Sequence, residues 1–153
     1  MTKKQAEKGG ALPLRPLALK NFKRIDGELA GILGRFWAHI WNGSDPKLDP
    51  RTRLLLSLSN AVGARRFRQA TRELVKAYAL GVTTGELDEL FSLFIWNQGV
   101  GTFASEIGPS PLFRAYLFIK EMEKKGLQRE QAVKNLVEKF GEGNPDVGTL
   151  PEV

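Results

Sequence analysis

The sequence predicts an all-α, single-domain helical bundle of about six helices, on three observations. Apolar residues recur at three- and four-residue steps in successive segments, which is the period of one helix face. Glycine, proline and capping residues punctuate the joins between those segments. No stretch alternates apolar and polar residues over strand length, and no repeat at a fixed period is visible. With 153 residues the chain suits one domain whose core buries roughly two-thirds of the unfolded surface.

The elements follow in order. From about Asn21 to Trp41, Phe22, Ile25, Leu29, Ile32, Leu33, Phe36 and Ile40 mark one amphipathic face, and Asn42-Gly43-Ser44-Asp45-Pro46 ends it. Asp49-Pro50 reads as an N-cap with proline at the first helical position, opening a helix through about Val62 that Gly63 stops. A third helix, about Arg65 to Leu80, carries Phe67, Ala70, Thr71, Leu74 and Tyr78 on its core face, with Gly81 as its C-terminal cap. Arg65, Arg72 and Lys76 point nearly opposite that face. Thr83-Thr84-Gly85-Glu86 has capping-box spacing and starts a long fourth helix to about Ile107. That helix is apolar nearly all round from Leu87 to Trp96, so it is expected at the centre or in an interface. A fifth helix runs from about Pro111 to Lys125 and a sixth from about Gln128 to Phe140. Residues 1–20 are expected to form a flexible basic arm, residues 21–141 the helical domain, and residues 142–153 a loose tail with little to bury.

Composition excludes several chemistries. The chain has no cysteine and one histidine, His39, so thiol catalysis, disulfides and thiolate metal sites are ruled out for it, and no metal or cofactor is expected. Lys3, Lys4, Lys8, Arg15, Lys20, Lys23 and Arg24 against Glu7 account for the whole formal charge of +6, so the excess belongs to the leading segment. A second basic run, from Lys47 through Arg51, Arg53, Arg65, Arg66, Arg68 and Arg72 to Lys76, is opposed only by Asp49 and Glu73. It has little aromatic interleaving and no nucleic-acid-binding signature, so nucleic acid is the least favoured partner. No apolar run has secretory or membrane-spanning length, and a soluble cytoplasmic protein without membrane contact is expected.

The segment from Leu48 to Gly108 carries a recognisable order of parts: Leu48-Asp49-Pro50-Arg51-Thr52-Arg53 at a helix start, a helix ending in Gly81-Val82-Thr83, and a second long helix with Gly99-Val100. In this it resembles the carboxymuconolactone decarboxylase-like family, which includes the alkyl hydroperoxidase D-like peroxidases. The resemblance extends over roughly residues 22–120, though its motifs lie within 48–108. It implies an alkyl hydroperoxidase D-like helical fold with a central antiparallel helix pair over residues 65–107, and assembly as a trimer or hexamer. It also implies that the family's catalytic positions have changed. Arg66, Gln69 and Glu73 stand where the peroxidase branch has Cys-x-x-Cys-x-x-x-His, Glu73 also replaces the histidine of the decarboxylase branch, and Leu54 replaces a relay glutamate. Peroxidase activity is therefore not expected.

Arg66, Gln69 and Glu73 share one helix flank within roughly 60°. A guanidinium, an amide and a carboxylate so placed can orient an anionic ligand and move a proton, with Glu73 and Arg66 as the catalytic candidates. The alternative is a solvated flank. Trp96, Asn97 and Gln98 are ligand-binding candidates of the fourth helix, because amides in an apolar stretch need partners and Gly99 and Gly101 suggest close approach of a ligand or a second backbone. A helix–helix contact is the favoured explanation of them. Three functions remain open at this level: binding or acid–base transformation of a small anionic organic acid, a catalytically silent oligomeric scaffold, and a basic nucleic-acid-binding module.

Overall fold

The computed structural model describes residues 12–15 and 17–151, and among these the chain is helical with no strand. The elements are α1 (Leu19–Ile25), α2 (Gly27–Trp41), α3 (Pro50–Gly63), α4 (Phe67–Ala79), α5 (Thr84–Gln98), α6 (Val100–Thr102) running on into a π-helical turn (Phe103–Ile107), α7 (Pro111–Lys124) and α8 (Arg129–Phe140). Most of the flexible arm expected over residues 1–20 lies outside the described residues.

Local chemistry sets the helix starts as anticipated. Asp49 accepts from Thr52 N at 3.0 Å and Thr52 Oγ1 at 2.5 Å, with Pro50 in the first turn. Those bonds, led by the Thr52 hydroxyl, hold the Asp49 carboxyl below its usual range. Thr83 and Glu86 form the complete capping box of α5, and Ser110 caps α7 ahead of Pro111.

Two expected helices are broken. Asp26, in extended conformation, interrupts the first and caps the second piece through Leu29 N at 2.7 Å. The fourth is broken at Gly99, whose φ of 85° lies in the left-handed region. Among the described residues no atom outside the local helix backbone stands within 4 Å of a Cβ built at Gly99 or Gly101, so no other segment of this chain approaches there, and Gly99 serves the bend. Conversely, α3 runs through Gly63, and the left-handed position between α3 and α4 falls to Arg65, with φ 56°. Arg66 N then bonds back to Ala61 O at 2.8 Å, closing the turn.

The core is built around α4, which packs on α3, α7 and α8, while α5 packs on α3 and α7. The expected central pairing of the two helices within residues 65–107 is thus replaced by α4 with α3 and α7. Buried Leu54 and Leu58 of α3, Leu74 and Tyr78 of α4, Leu87 of α5, Ile119 of α7 and Leu136 of α8 meet there. Phe91, Phe94, Phe113 and Tyr116 add an aromatic cluster with ring centroids 4.3–5.6 Å apart. Around Tyr78, the hydroxyl donates to Glu123 Oε1 at 3.0 Å and Arg129 donates to the Tyr78 and Val82 carbonyls. Burial, followed by the hydrogen bond to Glu123, pushes the Tyr78 phenol up to about 12. The all-round apolar α5 is only half used: Leu87, Phe91 and Phe94 are buried, whereas Leu93 and Trp96 face outward.

The C-terminal segment is not a loose tail over residues 142–151. It folds back onto α4, burying Val147 and Gly148. Glu142 accepts from Thr149 N at 2.5 Å and Leu150 N at 2.6 Å, and Arg68 donates to the Pro145 and Gly148 carbonyls. Asn21 of α1 reaches Thr149 O at 2.6 Å. Part of the expected arm joins in, since Leu14 packs against the core and Arg15 O accepts from Arg72.

Candidate functional site

The returning segment creates the site. A cleft of about 920 Å³ opens along the outer flank of α4, a size that suits a small organic molecule. One wall is α2 with Trp37 and Trp41, the floor is the start of α4, and the far wall is Pro109, Pro111 and Arg114 with Asp146 and Thr149 of the tail. Apolar surfaces thus face a floor dense in cations.

Glu73 lies in this floor at 7 % exposure. Its Oε1 is 3.7 Å from Lys76 Nζ, beyond hydrogen-bonding distance, and its Oε2 has no hydrogen-bond partner among the described residues. A buried carboxylate so poorly satisfied carries a desolvation cost. Desolvation raises the Glu73 carboxyl above its ordinary value, opposed by Lys76 and more weakly by Arg72.

The cations of the cleft divide into two sets. Arg72, only 6 % exposed, donates to Glu142 Oε2 at 3.1 Å and Arg15 O at 3.0 Å. Burial alone would raise Glu142, yet the Leu150 and Thr149 amides and Arg72 hold it below its usual value. Arg114 pairs with Asp146 at 2.8 Å, and Arg68 is taken by the tail carbonyls. Arg65 and Arg66, by contrast, are exposed and have neither ion pair nor side-chain hydrogen bond among the described residues. Two guanidinium groups with open donors therefore line the same cleft as an underpaired carboxylate, and such donors fit one or two carboxylates or a phosphate.

Arg66, Gln69 and Glu73 all line this cleft. Glu73 is drawn to Lys76, however, and makes no ion pair with Arg66. Trp96, Asn97 and Gln98 stand apart from the cleft lining. Trp96 is 83 % exposed, and a Cβ at Gly63 would stand 3.6 Å from Gln98 Nε2, which puts Gln98 at the α3–α5 contact. The physical reason is that α5, apolar nearly all round, buries only its Leu87, Phe91 and Phe94 side, and Trp96 and Asn97 fall on the side left to solvent. Arg72 departs from its expected outward position because the tail covers it. Trp37 and Trp41, one turn apart on α2, are lining residues whose role their apolar character concealed. His39 is exposed on a different shallow groove with Asp45, Lys47 and Arg53. Among the described residues, no group of three or more histidines or acids is placed to hold a metal ion.

The second basic run is largely engaged in pairing. Arg51 binds Glu86, Lys47 binds Asp45 at 2.5 Å, and Arg53 lies over Trp41 at 5.2 Å. No helix among the described residues is long and apolar enough to cross a membrane. No protein-family model, curated protein or solved structure matches the chain.

Proposed function

We propose that the protein binds a small anionic organic acid in the cleft along α4. Arg65 and Arg66 receive its carboxylate, Gln69 offers an amide, and Trp37 and Trp41 cover its apolar body. The observation that carries this reading is Glu73: a buried carboxyl with an oxygen unpartnered among the described residues, in a cleft also lined by Arg65 and Arg66, which have no ion pair there. If the bound acid is turned over, the chemistry is of acid–base, lyase type without a thiol, and Glu73 is the group that takes or gives the proton. A relationship to the carboxymuconolactone decarboxylase-like proteins belongs to the same proposal and rests on the order of parts from Leu48 to Gly108.

A second reading, a silent oligomeric scaffold, is favoured by a separate feature. Leu93, Trp96 and Val100 are large apolar residues exposed near the end of α5 and the start of α6, which is the surface an interface covers. Assembly as a trimer or hexamer is a proposal that this surface supports. A thermal-shift screen of mono- and dicarboxylic acids separates the readings. We expect at least one acid to stabilise the wild type, and Arg66→Ala to weaken its binding by about 1.5–3 kcal/mol, the usual loss for a charged hydrogen bond. An acid that stabilises both proteins equally removes Arg66 from the site, and a screen without any hit supports the scaffold.

A further inference from the structure

Helix α2 has two apolar sides, and only one touches the protein. Ala30, Leu33, Gly34, Trp37 and Trp41 are half-buried on the inner side, whereas Leu29, Ile32, Phe36 and Ile40 are exposed, Phe36 at 62 %. The exposed four are spaced by three, four and four residues, so they form one continuous stripe along the helix. A stripe of this kind is the seam by which a helix packs against a second helix. Ile25 at the end of α1, 75 % exposed, extends the apolar surface beyond the N-terminus of α2.

We propose that this stripe is covered by α2 of a second copy of the chain, running antiparallel across a two-fold axis near the middle of the helix. The pairing is self-complementary, as a two-fold interface requires. One register sets Leu29 opposite the second copy's Ile40 and Ile32 opposite its Phe36, then repeats both contacts by symmetry. Glu28 and His39 lie on the same flank of the stripe, within roughly 20° of one another at 100° per residue. The same register brings Glu28 of each copy to the second copy's His39, where an imidazole N–H meets a carboxylate.

Other occupants fit less well. Residues 1–11 offer Met1 as their one large apolar side chain, too little to cover the stripe. Along α2 itself the flanking charges Asp26, Glu28 and Arg35 are of mixed sign, unlike the Lys/Arg-rich margin of a helix lying on an anionic lipid surface, and the basic Lys20, Lys23 and Arg24 flank only the Ile25 end. The interface rests on four or five side chains from each copy, so it belongs with the small, weak class and is expected to dissociate in the micromolar range. It is independent of ligand binding in the cleft.

Sedimentation equilibrium of the full chain, from about 1 to about 300 micromolar, tests this. The mass of the assembly should double with concentration, and Phe36→Glu should weaken the association at least tenfold while leaving the melting temperature unchanged. Glu28→Lys and His39→Glu should each weaken it, and the double variant should recover to within a few-fold of wild type. The proposal is overturned by a wild type whose mass does not rise, by an association indifferent to Phe36→Glu, or by a double variant weaker than either single one. It is equally overturned if the stripe serves a membrane, seen as binding of the non-associating protein to phosphatidylserine vesicles that Phe36→Glu abolishes.

Discussion

At Glu73 the protein keeps a carboxyl that its surroundings would rather leave protonated. Because the folded pKa lies above the ordinary 4.5, the native state holds that proton more tightly than the unfolded chain does. The associated stability is therefore complete below about pH 4.5 and is lost as pH rises through the folded value. Glu73→Gln should accordingly melt higher than wild type near pH 7, with the difference shrinking towards about pH 4. Thermal melts of the two proteins across that range check it, and a constant difference would place Glu73 in solvent. Arg65 shows a second local cost, since a side chain in the left-handed region is disfavoured by about 1–2 kcal/mol. Arg65→Gly relieves it but loosens the unfolded chain, so we expect a net gain of up to about 1 kcal/mol in urea unfolding. The same variant should bind the cleft's acid more weakly, the signature of a residue retained at the expense of stability. The sequence placed Gln69 and Glu73 on one flank because helical period alone decides that, whereas Arg66, read as helical, is the N-cap of α4 with ψ 65° and lines the cleft from outside the helix. It could not show that Glu73 is buried, which depends on what packs over α4.

At the scale of elements, capping chemistry was readable where no apolar period ran across it. Asp49-Pro50, the Thr83–Glu86 box and Ser110-Pro111 begin helices where the sequence puts them. The breaks at Asp26 and Gly99 were hidden because the apolar period runs across both. The largest departure is the segment after α8, whose glycines and acids read as solvated chain. Its order comes from long-range contacts, Glu142 with Arg72, Asp146 with Arg114, and the tail carbonyls with Arg68 and Asn21, and from Glu142 accepting amides within its own loop, none of which has a periodic signature. Gly141 is the entry to that loop, and a Cβ there would stand 2.2 Å from Val137 O. Gly141→Ala should therefore destabilise the protein by on the order of 1–3 kcal/mol. Amide exchange should then quicken over residues 142–150 before it does in α7, whereas unchanged protection there would mean that the loop accommodates the methyl group.

For the molecule as a whole, the cleft is a product of tertiary folding. α4 supplies the chemistry, α2 the aromatic wall and the returning segment the far side, so three parts remote in sequence must meet before an anion can be enclosed. The helical class follows from pattern alone, but the choice of α3, α7 and α8 as neighbours of α4 depends on side-chain fit that periodicity does not encode. The three tryptophans report on this arrangement directly, since Trp37 and Trp41 line the cleft and Trp96 stands apart from it. In a titration of ¹⁵N-labelled protein with an acid that stabilises it, the indole N–H resonances of Trp37 and Trp41 should move together and that of Trp96 should stay fixed. Movement of Trp96 alone, or of none of the three, would contradict binding in the cleft along α4.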